Sequence, residues 1–181
     1  MLKRCVLNID VKNLRKIAPT LRAGQKVLLS GEIYTARDAA HKRFTAAIKN
    51  GEPLPLDIKD AVIYYAGPTP AKNGMAIGSC GPTTSARMDV HAPLLLDRGL
   101  CAVIGKGEVG KEVIEAHKRN KTVYFCAVGG AGALYSKCIE KCEVAAYEDL
   151  GCESVKRLLI KDFPLVVAID STGDKVFVEN D

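Results

Sequence analysis

The regular succession of short apolar runs and helical patterns limits this chain to very few folds. The runs CAVIG (101–105) and TVYFCAV (122–128) have the composition of buried strands, and the segment between them, from about 110 to 120, has a helical pattern. A strand, a helix and a strand in succession imply parallel strands joined by a crossover helix. The sequence therefore predicts an α/β fold with a mainly parallel sheet.

The N-terminal half repeats this pattern. KVLLSGEIYTA (26–36) predicts a strand, TARDAAHKRFTAAIKNG (35–51) predicts an amphipathic helix, and AVIYYAG (61–67) predicts a second buried strand. Thr35 is the expected N-cap of that helix, and Gly51 suits its far end.

The C-terminal part predicts a different arrangement. After the GGAGA turn we expect a helix through the Cys138 region, followed by two strands, PLVVAID (164–170) and KVFVEN (175–180), joined by the turn STGD. This terminal hairpin, together with the strand-rich N-terminal part, indicates a second, partly antiparallel β layer.

The composition is that of one globular domain spanning residues 1–181. At this length, with 48% hydrophobic residues, the chain can bury a core without metal or disulfide staples. The net charge of +5 is spread along the chain, aromatic residues make up 6%, and tryptophan is absent. These properties argue against a dedicated nucleic-acid-binding protein, while an excess of positive charge suits an anionic small substrate.

The seven cysteines form neither a disulfide framework nor a metal-binding pattern. No C-x-x-C occurs, and the close pair Cys138 and Cys142 has the i,i+4 spacing of a helix with no second pair to match it. The N-terminal MLKRCVLNIDV becomes polar too early for a secretory signal, and the longest apolar runs fall far short of the roughly 20 residues that a membrane helix needs. We therefore expect a cytoplasmic protein without a membrane span.

The segment GKGEVGKE (105–112) has two features of a nucleotide-binding loop. Its glycines match G-x-G-x-x-G between a strand and a helix, but no acidic residue follows about 20 positions later to hold a ribose. It also nearly matches a phosphate-binding loop, except that Glu112 stands where a Ser or Thr is needed. Nucleotide binding remains an alternative, and Lys106 is notable because it follows a strand at the end where open α/β sheets bind ligands.

Arg37 and His41 are spaced i,i+4 at the start of the first predicted helix, where we expect His41 to be exposed. A cation in the first turn opposes the helix macrodipole by roughly 0.3 to 1 kcal/mol. This cost indicates that Arg37 points at an anion, unless Asp38 simply neutralises it.

The stretch GSCGPTTSARMD (78–89) predicts a helix that begins near Thr83 or Thr84 and presents free N–H groups to the preceding turn. Arg87 is four residues beyond Thr83, so on a helix the hydroxyl and the guanidinium would share a face. Such a pair can hold a carboxylate and place a hydroxyl near the adjacent carbon. The alternative is a threonine N-cap beside a surface arginine.

Five stretches spread over nearly the whole chain are informative together: GEIYTARDAAHKR, GSCGPTTSARMD, the GKG after CAVI, the AVGGAGAL turn and DFPLVVAIDSTGD. They resemble the β subunit of class I, iron–sulfur fumarate hydratase and the closely similar β subunit of L-tartrate dehydratase. In single-chain relatives this unit is the C-terminal domain. The sequence departs from the family at Ala86, where glycine is common, and at Val90-His91, where Pro-Tyr or Ala-Tyr is usual. The resemblance implies a swivelling β/β/α fold, a three-layer domain with a mainly parallel sheet and a second, partly antiparallel β layer.

The resemblance also implies a function, the reversible hydration of fumarate to L-malate, or alternatively the dehydration of tartrate to oxaloacetate. A four-iron four-sulfur cluster would be carried by a partner α subunit in a hetero-oligomer, with its iron acting as a Lewis acid. Arg37, Arg87 and Lys106 resemble the family's ligands for the C4 dicarboxylate substrate. Thr83 resembles the proposed catalytic base; either Lys106 or Arg87 would have to lower its pKa, or Thr83 would relay a proton. The rival interpretation is a non-catalytic anion-binding module.

Overall fold

The computed structural model describes residues 6–71 and 74–177, which build a seven-stranded mixed sheet. The strands are β1 (Leu7–Asp10), β2 (Lys26–Thr35), β3 (Val62–Tyr64), β4 (Ala102–Gly105), β5 (Val123–Cys126), β6 (Ile139–Ala146) and β7 (Val155–Ile169). They lie in the order β1-β2-β3-β4-β5-β7-β6, and β2 also pairs with β7.

Five helices connect these strands within the described part of the chain. They are α1 (Val11–Ile17), α2 (Asp38–Asn50), α3 (Ala92–Asp97), α4 (Lys111–Asn120) and α5 (Gly132–Lys137), with 3₁₀ segments at Ala18–Thr20, Ser85–Met88 and Glu148–Glu153. None of the helices in residues 6–71 and 74–177 is long and apolar enough to cross a membrane.

The first five strands are parallel to one another, which confirms the predicted mainly parallel sheet. Strands β3 and β4 are buried along their whole length, because helices or further strands cover both of their faces. Since the strands run in the same direction, the loops that leave their C-terminal ends all emerge at one edge of the sheet. We call this the C-terminal edge.

Strand β7 runs antiparallel to three partners and turns the sheet back on itself. One of its edges pairs with β2 over residues 156–166, while the other pairs first with β6 and then, over residues 166–169, with β5. The path β2-β3-β4-β5-β7 therefore returns to β2. This pairing confirms the predicted second, partly antiparallel β layer.

Two separate hydrophobic clusters show the three layers. Along β3, Tyr64 belongs to the cluster enclosed by the strands, whereas Ile63 belongs to the cluster under α2, α3 and α4. Along β4, Ile104 and Val103 divide in the same way. Consecutive side chains of a strand point to opposite faces, so these two strands form the middle layer, between a β layer and a helical layer.

The N-terminal boundary of α2 and the C-terminal boundary of α5 differ from the prediction. Helix α2 begins at Asp38 with Arg37 as its N-cap, not at Thr35, because Thr35 is still paired in the sheet with Lys156. Helix α5 ends at Lys137, and Cys142 lies in β6 opposite Leu158, so Cys138 and Cys142 do not share a helix.

The predicted terminal hairpin is also shorter than expected. Lys175 forms a single antiparallel bridge with Ile169, and no strand continues through Phe177. The rest of the predicted strand, residues 178–180, lies outside the described residues.

Candidate active site

Three of the predicted site residues lie at the C-terminal edge. Two of them follow a strand directly or closely, and the third is hydrogen-bonded to the end of another strand. Arg37 is two residues beyond β2, and Lys106 directly follows β4. The backbone N–H of Thr83 donates to the carbonyl of Tyr65, the residue after β3, at 2.7 Å. This is the edge at which open α/β sheets bind their ligands.

Arg87 is joined to Arg37 through a shared carboxylate. Its Nε donates a hydrogen bond of 3.0 Å to Oδ1 of Asp38. Nη2 of Arg37 lies 3.7 Å from Oδ2 of the same aspartate and 3.6 Å from Oε1 of Glu153. Two guanidinium groups therefore flank Asp38, which partly neutralises Arg37 as the sequence allowed.

The Arg37 guanidinium keeps unused hydrogen-bonding capacity. Its side chain is only 21% exposed, its Nε is buried without a hydrogen-bond partner among the described residues, and its two ion pairs are longer than a hydrogen bond. Buried polar groups are normally bonded, so this guanidinium has room for a further acceptor. Arg87 is 51% exposed and uses only Nε in the described part of the chain.

Glu153 helps to fix Arg37 in place. Its Oε2 accepts the N–H of Ala39 at 3.0 Å, which satisfies one free donor of the first turn of α2. Gly67 allows the Arg37 side chain to pass close to the backbone, since a Cβ there would lie 3.0 Å from Cδ of Arg37. Glu153 carries no local sequence signal, because it is 114 residues from the helix that it caps.

The expectation that Thr83 and Arg87 share a helical face is wrong. The 3₁₀ segment begins at Ser85, and Thr84 occupies the cap position without a side-chain hydrogen bond. The N–H groups expected to be free are used instead: that of Thr83 bonds Tyr65, and that of Ser85 bonds the Lys106 carbonyl at 2.9 Å. The segment pairs with the ends of β3 and β4 in preference to forming a helix.

A buried hydroxyl pair links this segment to the loop that carries Lys106. Ser85 Oγ lies 2.9 Å from the Tyr124 hydroxyl, which donates to the Gly107 carbonyl at 2.8 Å. Because Tyr124 donates to that carbonyl, Ser85 is the donor in the first bond. A Cβ at Gly105 would overlap the Ser85 hydroxyl, so glycine is required there.

Lys106 lies across the turn that follows β5. A Cβ at Gly129 would be 3.4 Å from Lys106 Cδ and 3.8 Å from its Nζ, which shows that the side chain extends along that turn. Its backbone forms a parallel bridge with Thr84, the neighbour of Thr83. The lysine and the threonine segment are therefore held side by side.

His41 is fully buried, so the expectation that it is exposed is wrong. It packs edge-on against Tyr65 with the ring centroids 5.2 Å apart, because the helix presents this position to the core. Nδ1 lies 2.9 Å from the Arg37 carbonyl; a carbonyl only accepts, so Nδ1 carries the proton. Burial lowers the pKa of His41 to about 4, and the neutral imidazole supports the backbone of Arg37 from behind.

The glycine-rich loop lies between the predicted strand and helix, but a carboxylate of this chain is already bound at the N-terminus of that helix, α4. Asp89 Oδ2 accepts the Gly110 N–H at 2.6 Å at the start of α4, and Glu112 lies in the first turn. Burial raises the pKa of the Asp89 carboxyl. These two acidic groups disfavour a nucleotide phosphate at this terminus.

The described residues provide no ligand set for a metal ion or an iron–sulfur cluster. Within residues 6–71 and 74–177, no three His, Cys, Asp or Glu side chains converge to hold a metal ion. Cys5 lies outside these ranges.

Comparisons with known proteins agree on one family. The model of the fumarase C-terminus matches residues 2–180. The chain is 36% identical over 173 residues to fumarate hydratase 2 of Leishmania major, covering 94% of this chain and 30% of that protein. It is 34% identical over 176 residues to the aerobic class I fumarate hydratase of Escherichia coli strain K12, covering 96% and 32%.

A third relative is similar along nearly its whole length. The Methanocaldococcus jannaschii protein named "Putative L(+)-tartrate dehydratase subunit beta" is 37% identical over 174 residues, covering 93% of this chain and 89% of that protein. The chain thus spans about a third of the fumarate hydratases named above and about nine tenths of this subunit.

Proposed function

Because the chain belongs to the fumarase C-terminus family, we propose that it is the β subunit of an iron–sulfur hydro-lyase that hydrates fumarate reversibly to L-malate. One observation carries this proposal: Arg37 and Arg87 both contact Asp38 at the C-terminal edge, and the Arg37 Nε is buried there without a hydrogen-bond partner among the described residues. A guanidinium matches a carboxylate through two parallel N–H donors, and a C4 dicarboxylate carries two such groups.

The local charge suits a dianion. Arg37, Arg87 and Lys106 supply three positive charges, while Asp38 and Glu153 supply two negative ones. The Arg87 side chain is half exposed, and within the described residues only its Nε makes a hydrogen bond, so its terminal nitrogens can still donate. We assign Arg37 and Arg87 to the substrate carboxylates, with Lys106 as the third cation.

Thr83 is the group we assign to proton transfer at the carbon beside the hydroxyl-bearing carbon. An alcohol is a weak base unless a cation lowers its pKa. The bridge between Thr84 and Lys106 sets a lysine beside the threonine segment, so the Lys106 ammonium is the cation we assign to this task. In this scheme the Thr83 alkoxide, stabilised by the Lys106 ammonium, accepts the proton in dehydration, and the Thr83 hydroxyl that results returns it in hydration.

The remaining parts of the enzyme belong to another polypeptide in this proposal. The four-iron four-sulfur cluster is assigned to a partner α subunit, because the described residues of this chain offer no ligands for it. Two facts support a divided enzyme: the M. jannaschii relative is named as a subunit, and about two thirds of the polypeptide of each fumarate hydratase lies outside the part that this chain matches.

L-tartrate is the second candidate substrate, and the coverage of the M. jannaschii relative favours it. Tartrate differs from malate by one hydroxyl, and this chain's three cations would hold its carboxylates in the same way. The discriminating contact then lies with the partner.

Reconstitution tests the proposal. The purified chain is mixed anaerobically with the cluster-loaded α subunit and assayed on fumarate, L-malate and both tartrate enantiomers. We expect turnover of fumarate and L-malate, or of a tartrate enantiomer, only when both subunits are present. Full activity of the α subunit alone would contradict a shared site. Saturable dicarboxylate binding without turnover by a fully loaded pair would favour the non-catalytic anion-binding module.

A further inference from the structure

An apolar groove of about 340 Å³ opens between the turn that follows β5 and the N-terminal end of β2. Its rim carries three exposed aliphatic side chains: Val128 is 67% exposed, Leu134 is 55% exposed and Val6 is 47% exposed. Among the described residues that line it, Lys26 is the one with a charged side chain at neutral pH. Exposed apolar side chains clustered in this way mark an interaction surface more often than a solvated one.

The groove shares a wall with the candidate active site. Val128 directly precedes Gly129, against which the Lys106 side chain lies. Further along the same turn, the Gly132 carbonyl accepts the Cys80 N–H at 3.1 Å, and a Cβ at Gly81 would be 3.4 Å from Gly132 Cα. The turn therefore has the Lys106 and Gly81 side of the site on one face and the groove on the other. A body that closes the site from this side also covers the groove.

The position of Val6 also indicates what covers the groove. This chain matches only 30% of the length of the L. major fumarate hydratase and 32% of that of E. coli. The family that it matches is the C-terminal part of fumarase. Most of their polypeptide therefore precedes the part equivalent to this chain. The matched part begins at residue 2, so in those relatives the preceding polypeptide would join this unit a few residues before the position of Val6, which lines the groove.

We propose that this groove is the docking surface for the cluster-bearing α subunit, which fills it with an uncharged apolar ridge. The inference rests on the proposed function, because the α subunit is the body required to complete the site. The near absence of charge in the lining fits the core of a lasting subunit interface, where charged residues are depleted. A charged residue placed there would be buried without a partner.

Two glutamate substitutions with a matched control test this assignment. Val128→Glu and Leu134→Glu each put a carboxylate on the groove rim, and both positions are exposed enough to leave the fold intact. Val144→Glu is the control, because Val144 is 51% exposed on β6, away from the groove. We expect the two groove variants to bind the cluster-loaded α subunit at least roughly tenfold more weakly than wild type, since a buried charge costs more than 1.4 kcal/mol. Val144→Glu should bind as wild type does, and all three should keep the wild-type melting temperature when alone.

Calorimetry of the subunits separates this inference from the proposed function. A wild-type pair that associates but turns over no dicarboxylate would refute the function and leave the docking surface in place. Groove variants that bind as tightly as wild type, a wild-type chain that does not associate with the α subunit, or a control that weakens binding equally would overturn the docking surface. If the wild-type chain forms a dimer and Val128→Glu abolishes it, the groove binds a second copy of this chain, and its assignment to the α subunit is refuted.

Discussion

Replacing Arg87 with alanine should damage catalysis far more than stability. Its side chain is 51% exposed and, among residues 6–71 and 74–177, makes a single hydrogen bond, to Asp38 at 3.0 Å. Exposed ion pairs of this kind contribute less than about 1 kcal/mol to folding. For a chain of this length we expect the melting temperature to fall by no more than about 4 °C.

The catalytic cost follows from the contact that Arg87 would make with substrate. A hydrogen bond to a charged group contributes about 1.5 to 3 kcal/mol, so its loss should lower kcat/KM roughly tenfold to hundredfold. Arg87→Lys keeps the charge but loses the planar pair of donors, and we expect a value between those of wild type and Arg87→Ala.

Arg119→Ala is the matched control. Arg119 is 48% exposed and pairs with Asp97 at 2.7 Å on the helical face of the molecule, away from the C-terminal edge. The assay measures kcat and KM of the reconstituted pair, with subunit association checked separately. An Arg87→Ala pair that keeps wild-type kcat/KM, or an Arg119→Ala pair that loses as much, would refute the role of Arg87.

Three further predictions concern the framework behind the site. Burial lowers the pKa of His41 to about 4, so as the pH falls the unfolded chain takes up this proton before the folded chain does, and stability present above pH 6.5 is lost toward pH 4. In urea titrations the free energy of unfolding should fall by roughly 2 to 3 kcal/mol between pH 7 and pH 4.5, and this fall should be absent in His41→Gln. An identical pH profile for the variant would contradict the prediction. Tyr124→Phe removes the hydroxyl bonded to Ser85 and to the Gly107 carbonyl, and should lower the free energy of unfolding by about 1 to 3 kcal/mol in urea titrations. Gly105→Ala should cost about 1 to 3 kcal/mol because its new methyl group meets the Ser85 hydroxyl. The cost should be smaller in a Ser85→Ala background, where the 3.0 Å approach to Tyr65 Cδ2 remains, and equal costs in both backgrounds would disprove the clash with the hydroxyl.

The parallel core and the position of the site could be predicted because both depend on patterns among neighbouring residues. Strands β3, β4 and β5 are continuous apolar runs, and a helical pattern separates β4 from β5, so their order and direction follow from the residues. Arg37 and Lys106 come directly after predicted strands, which places them at one edge. Their roles in substrate binding remain predictions.

The features that sequence alone could not supply depend on contacts between distant residues. Helical spacing gave no means to tell that Tyr65 and the core would enclose His41. The pairing of Thr83 and Ser85 with strand ends, which replaces the expected helix, depends on β3 and β4 lying alongside. The strand around Cys142 follows from its pairing with β7, because tertiary pairing decides between helix and strand where the local pattern is ambiguous.

The long antiparallel β7 also constrains when the molecule can acquire its native state. Its residues 156–166 pair with β2 at positions 26–35, a separation of about 130 residues. A ribosome must therefore synthesise most of this polypeptide before the outer edge of β2 is covered, and contacts so remote in sequence slow folding. During that interval the nascent chain exposes an open sheet edge, the kind of surface that chaperones shield and that drives aggregation.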